Sequence, residues 1–310
     1  MKHNKTNNEV PAKAVEFHRS IVVVVVLASV LLFGCSTPEQ QDFRLDTNGI
    51  TVVCDQAATG DTGIIDGVTY TKRNRTQIDK LISNKQWSEL PTTCTSGIKD
   101  MSYIFYDVED FNQPIGSWDT SSVTNMSYAF AGATSFNQPI GNWNTSNVRD
   151  MSDLFYGAIA FNQSLGNWNT SKVADMSGML GARAFNQPIG EWDTSNVSDM
   201  SWMFSDASSF NQPIGSWDTS NVGDMSFLFS DASSFNQPIG SWDTTKVTDM
   251  SDMFDGANAF NQPLDHWNTS NVKNMSDMFD DAESFNQPVG GWDTSNVTDM
   301  SDMFYNAKLF

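Results

Sequence analysis

Phe285-Asn286-Gln287-Pro288-Val289-Gly290-Gly291-Trp292-Asp293-Thr294-Ser295-Asn296-Val297-Thr298-Asp299-Met300-Ser301-Asp302-Met303-Phe304 is one copy of a unit that fills the chain from about Lys99 onward. Its leading Phe recurs at Phe111, Phe136, Phe161, Phe185, Phe210, Phe235, Phe260, Phe285 and Phe310, a 25-residue period with one 24-residue step before Phe185. Self-similarity at this period means units that hide their apolar sides only by stacking on their neighbours. Val297, Met300, Met303 and Phe304 fall at helical spacing, with Thr294, Ser295 and Asn296 as N-cap candidates and Asp299 in the first turn. Pro288 and the glycines limit the other half to a short strand around Val289 to Trp292. The expected fold class is an α/β repeat: a leucine-rich-repeat-like solenoid with one short strand and one short helix per rung. About eight and a half such units occupy residues 99–310.

A small α+β cap is expected over residues 46–98, where a terminal unit would cover the first rung. Ile50 to Val53 has strand composition, Ile64 to Tyr70 reads as a hairpin turning on Asp66-Gly67, and Thr76 to Leu90 has the spacing of a short helix. Cys54 and Cys94 form an even pair, expected as a disulfide in an oxidising compartment.

Ahead of the cap, a basic stretch with Lys2, Lys5, Lys13 and Arg19 leads into the apolar run Ile21 to Phe33. That run is too short for a mature membrane-spanning helix of roughly 20 residues and has the size of a signal-peptide core. Leu32-Phe33-Gly34-Cys35 resembles a bacterial lipoprotein signal, although Phe33 stands where a small residue is usual. The resemblance implies a signal segment over 1–34, a lipid on the Cys35 thiol and a polar tether over 35–45. It also implies export to the cell surface or outer membrane, with the lipid anchor as the one membrane contact.

The unit itself, Phe-Asn-Gln-Pro-Ile-Gly-x-Trp-Asp-Thr-Ser-Asn-Val-x-Asp-Met-Ser-x-Met-Phe, is similar to the leucine-rich-repeat units of the BspA-like bacterial surface proteins. The resemblance covers nearly all of the chain after Cys35. It implies a cell-surface protein, in some members an adhesin, whose repeat domain has no assigned activity.

Residues 1–98 carry ten acidic and ten basic side chains and residues 99–310 carry 27 and seven, so the net charge of −20 lies on the repeats. Such a surface repels nucleic acid and anionic membranes. An enzyme is not expected: beyond the signal segment His266 is the single imidazole, and no nucleophile-elbow, zinc-protease or phosphate-loop motif is present. The Met ladder from Met101 to Met300 reads as core filler. The Trp ladder from Trp118 to Trp292 fits either an exposed platform for sugar rings or buried rings whose N–H groups need partners. The Asn-Gln pair after each leading Phe suits amide hydrogen bonds from rung to rung.

Two acidic ladders remain, one after each Trp and one before each Met. They suit capping, with Ca²⁺ as the sharper alternative at Asp193, Asp199, Asp218, Asp224, Asp243 and Asp249, and no other cofactor is implied. Recognition is expected at the variable positions two residues after each ladder Met: Tyr103, Tyr128, Asp153, Trp202, Phe227 and Asp252. The expected function is adhesion through binding of a surface protein or glycan. The alternatives are a structural envelope protein without a discrete ligand, a calcium-dependent adhesin, and end-to-end self-association.

Overall fold

The computed structural model describes residues 42–310. The expected signal segment, the lipidation expected at Cys35 and most of the expected tether lie outside the described residues. Two short sheets open the described chain. β1 (Arg44–Leu45) pairs antiparallel with β2 (Val52–Val53). β3 (Thr62–Ile65) and β4 (Val68–Lys72) form a hairpin, whose Asp66 and Gly67 take φ of 48° and 81° as a tight Asp-Gly turn requires. β5 (Thr93–Cys94) lies parallel to β4, giving the order β3-β4-β5.

Between β4 and β5 runs α1 (Arg75–Ser83), opened by a capping box in which Asn74 and Gln77 satisfy each other's backbone N–H. The helix expected across Thr76 to Leu90 stops at Ser83, because Lys85 turns to φ 54°; a single 3-10 turn at Trp87–Glu89 follows. Ile78, Leu81 and Ile82 on the inner side of α1 join Leu90, Met101 and Phe105 at the start of one apolar core that continues to Met303. A separate small core of Phe43, Val52, Cys54, Ala57 and Cys94 surrounds the Cys54–Cys94 disulfide, whose Cα atoms are 6.3 Å apart.

In the repeats, hydrogen bonds run from each unit to the next. Alternate residues donate forward: Met101 to the Asn125 carbonyl at 2.9 Å, Tyr103 to Ser127 at 2.9 Å, Phe105 to Ala129 at 2.8 Å and Asp107 to Ala131 at 2.8 Å. The N–H groups between them close turns within the unit, Ile104 to the Met101 carbonyl and Tyr106 to that of Tyr103. Parallel bridges link Asp100, Asn125, Asp150, Asp175, Asp199, Asp224, Asp249, Asn274 and Asp299 in sequence.

The expected helix of each rung does not form; the segment after each ladder Met is a run of turns. Two causes act together. The carboxylate before Met accepts the N–H two residues on, as Asp199 Oδ1 does from Ser201 at 2.9 Å, and so offers that N–H a partner other than the helix. The residue after Ser then takes a left-handed φ, 57° at Tyr103 and 60° at Trp202, which ends a right-handed helix within one turn. The expected strand is displaced as well. Around Val289 the Trp292 N–H turns back to the Val289 carbonyl, and the ladder forms instead at the Asp or Asn before Met.

The interior is filled by ladders of like residues. Phe105, Phe130 and Phe155 stack at 5.3 and 5.5 Å, and the column of Phe111, Phe136 and Phe161 runs beside them at 5.7 and 5.9 Å. Each Phe of one column also lies against its neighbour in the other, as Phe229 does against Phe235 at 3.9 Å. Of the two readings of the Trp ladder, burial is the one found. Trp118 to Trp292 are buried; Trp118 Nε1 donates to the Leu90 carbonyl of the cap at 3.0 Å and each later Nε1 to a main-chain carbonyl of the unit before, Trp143 to Ile115 at 3.2 Å and Trp217 to Ile189 at 3.2 Å.

Polar ladders satisfy the corners. Asn112 Oδ1 accepts from the Asn137 N–H and the Gln138 amide, and the pattern repeats up the column. Buried Thr120, Thr145 and Thr170 each donate Oγ1–H to the carbonyl after the next Trp. Gly190 lets the turns approach, since a Cβ there would meet the Pro213 carbonyl at 2.7 Å.

Candidate binding face

The six variable residues proposed for recognition occupy equivalent places in successive units, and each has a left-handed backbone: Tyr103 57°, Tyr128 56°, Asp153 52°, Trp202 60°, Phe227 57° and Asp252 54°. Asp277 and Asp302 continue the column at 55° and 51°, and Gly178 stands in it at 58°. Asp, Asn and Gly visit this region readily, whereas for other residues it costs roughly 1–2 kcal/mol. Tyr, Trp and Phe are therefore held here against local preference.

These aromatic side chains do not fill the core. Tyr103 is 52% exposed and Trp202 40%. They stack on one another outside it: Tyr103 on Tyr128 with ring centres 4.7 Å apart and planes within 5°, and Trp202 on Phe227 at 3.8 Å and 11°. A second exposed column, three residues further on, adds Tyr106 and Tyr156. Tyr106 meets Tyr103 edge-on at 5.6 Å. The sequence reading missed Tyr106 and Tyr156. Their signal was a Tyr at positions that other units fill with Ala131, Ser205 or Ser230.

The face changes character along the column. Asp153 is half-buried beside Tyr128; desolvation lifts its carboxyl above the ordinary range, a hydrogen bond from Tyr128 opposes this, and Asp175 and Asp150 reinforce the rise. The same hydrogen bond pushes the Tyr128 phenol up to about 12. Further along, carboxylates crowd. Desolvation, with repulsion from Asp277, Asp249 and Asp280, pushes Asp252 up to about 6, and desolvation with repulsion from Asp280, Asp231, Asp252 and Asp281 pushes Asp255 up to about 7.

A raised carboxylate pKa means that the folded state holds a proton which the unfolded chain has already released, so these two groups stabilise the fold less as pH rises from about 4 to about 7. Asp218 and Asp243 act in the opposite direction. Hydrogen bonds from the side chains and backbones of Ser220 and Thr245 hold them below the usual range, so their contribution is lost as pH falls below about 4. The melting temperature is therefore expected to rise as pH is lowered from 8 to 5 and to fall again in stronger acid. Asp255→Asn is expected to raise the melting temperature at pH 8 and flatten the first limb. Calorimetry across that range checks both.

The six carboxylates considered for Ca²⁺ have local partners. Asp193, Asp199, Asp218, Asp224, Asp243 and Asp249 each accept, through Oδ1, the N–H of the residue two further on. Among the described residues no three His, Cys, Asp or Glu side chains are grouped to hold a metal ion. A polar cleft of about 440 Å³ lies where the cap meets the first units, lined by Arg44, Asp55, Lys72 and Asp119 among others. Its cations are already engaged, Arg44 by Asp55 and Lys72 by the carbonyls of Cys54 and Ala57. No helix among the described residues is long and apolar enough to cross a membrane.

A fold assembled from near-identical units, with its variable side chains gathered on one outer face, is that of a tandem-repeat protein. Residues 76–183, 165–262 and 236–310 match the family described as "Mycoplasma protein of unknown function, DUF285", and the chain belongs to that family. No curated protein and no solved structure matches the chain.

Proposed function

We propose that the chain is an exported surface protein of the BspA-like kind, anchored by lipid at Cys35. Its repeats form a leucine-rich-repeat-like solenoid that binds a protein or glycan partner through the face bearing Tyr103, Tyr128, Asp153, Trp202, Phe227 and Asp252. The observation carrying this reading is the placement of large exposed aromatic side chains on left-handed backbone. Backbone held in a sparsely populated region without benefit to the core marks a functional position. Exposed Tyr and Trp supply contact area that loses little rotamer freedom on binding.

The structural alternative makes a different forecast for Trp202. If the ring serves packing, Trp202→Asn lowers stability by several kcal/mol, as truncating a core aromatic does. If it serves binding, relief of the left-handed backbone and loss of the stack on Phe227 nearly cancel, and stability changes by about 1 kcal/mol or less. Thermal melts of wild type and Trp202→Asn read the difference. An array of glycans and surface proteins probed with both chains tests the function; identical profiles would remove the binding face.

A further inference from the structure

We infer that the polar cleft between the cap and the first units binds a neutral polyhydroxyl ligand, a sugar ring or a polyol, independently of the aromatic face. Its volume of about 440 Å³ falls in the range of small-molecule sites, roughly 300–1,000 Å³. A departure from the repeat opens it. The residue before each ladder Val is Asn or Lys from Asn147 to Asn296, and these side chains cross to the unit before, as Asn147 Nδ2 does to the Ser121 carbonyl at 2.9 Å and Lys172 Nζ to Asn147 Oδ1 at 2.8 Å. At the cleft the same column holds Ser122 and, in the cap, Gly97. Ser122 is too short to cross in this way, and a Cβ on Gly97 would meet nothing within 4 Å. The column that is filled in the later units is therefore open at its start.

The groups around the opening set the chemistry of the ligand. An anion finds no free cation: Arg44 is held by both oxygens of Asp55 at 2.7 and 3.1 Å, and Lys72 Nζ gives its three protons to the carbonyls of Cys54, Asp55 and Ala57. A cation finds little more. Asp46 is exposed, where water screens it, and the charge of Asp119 already acts on Arg44, whose pKa is raised first by its hydrogen bond to Asp55. What remains is hydrogen-bonding capacity without free charge. Among the described residues Asp119 is the one charged side chain that is buried, whereas Asn144, Asp193 and Asp218 of the same ladder are exposed. Its oxygens accept one bond each, from the Ser96 hydroxyl and the Ser121 N–H, although a carboxylate can accept about four. Beside it, the Ser121 and Ser122 hydroxyls and the Asn144 amide N–H have no partner among the described residues, while Asn144 Oδ1 accepts from Ser146. Neighbouring hydroxyls of a sugar each donate and accept, so one ring can donate to Asp119 and accept from the serines and Asn144. A peptide group, with one donor and one acceptor pointing apart, matches this set less well.

The test is saturation-transfer NMR of the full chain with glucose, galactose, mannose and N-acetylglucosamine, and with N-methylacetamide, acetate and methylammonium for comparison. At least one of the sugars is expected to bind and the comparison compounds are not. Ser122→Asn restores the side chain that Asn147 supplies in the next unit, and is expected to weaken sugar binding about tenfold with the melting temperature unchanged. Asp119→Asn, the residue of the ladder at Asn144 and Asn169, is expected to weaken it about as much. Trp202→Asn is expected to change sugar binding by about twofold or less, so that this site and the aromatic face stand or fall separately. Absence of transfer from every sugar, or transfer that Ser122→Asn leaves intact, would overturn the inference. So would binding of N-methylacetamide, acetate or methylammonium that Ser122→Asn abolishes, which would make the cleft a site for a peptide or a charged group.

Discussion

Phe229→Ala is expected to lower the unfolding free energy by about 3–5 kcal/mol, the range for truncating a fully buried aromatic in a core that cannot collapse around the gap. Phe229 has no exposed surface and lies in the middle of the column, with Phe204 and Phe254 at 5.5 and 5.6 Å above and below and Phe235 at 3.9 Å beside it. Relaxation into the gap would have to pull two neighbouring units together, yet their spacing is fixed by backbone bonds such as Phe229 to the Met253 carbonyl at 2.9 Å. In a stack where each unit is held by its neighbours, the damage crosses both interfaces of the altered unit. The melt is therefore expected to broaden or divide as well as shift. A loss under about 1 kcal/mol with unchanged cooperativity would mean that the ladder does not hold the units together.

Set beside the small change expected for Trp202→Asn, this defines what the sequence could and could not disclose. The period, the inward Val, Met and Phe ladders and the outward variable column follow from spacing alone, because every unit meets the same packing need. Secondary structure did not follow. Val297, Met300, Met303 and Phe304 have the spacing of a helix face, but the same spacing also brings side chains inward from a chain of turns closed by bonds between residues three apart, as Ile104 closes on Met101.

The deciding clue was present in the left-handed column. Its Asp and Gly occupants suit positive φ better than a helix interior, and the column holds no β-branched side chain; the aromatic residues follow the backbone that these set. The packing at the short unit was less legible. Gly178 and Gly181 are visible as letters and the missing residue as a 24-residue step, but their close approach to Asp153 and Tyr156 depends on the register between units, which only coordinates supply.

The other large effect is expected at the opposite end of the described chain. Replacing Cys54 and Cys94 together by Ser removes a cross-link between residues 40 apart, worth about 4 kcal/mol in the chain-entropy model. The effect should be local, for a structural reason. The bridge sits in the small core of Phe43, Val52, Cys54, Ala57 and Cys94, whereas Ile78, Leu81, Ile82 and Leu90 belong to the long core of the repeats. With few apolar partners, β1 and β2 keep beside the disulfide only polar links such as Val52 N–H to the Ser117 carbonyl at 2.9 Å and Lys72 Nζ to the Cys54 carbonyl at 2.8 Å, while α1 stays seated through Arg75, whose guanidinium donates to the Asp100 and Ser102 carbonyls. The double variant, or the wild type under reductant, is expected to show an early transition in which amide exchange quickens at Val52–Val53 and Thr93–Cys94 while the repeats melt unchanged. Such a dependence would fit export to an oxidising compartment, since a reduced cytosol would leave this part of the cap open. A single transition at the wild-type temperature would show instead that the hairpin and the first units hold the cap without the cross-link.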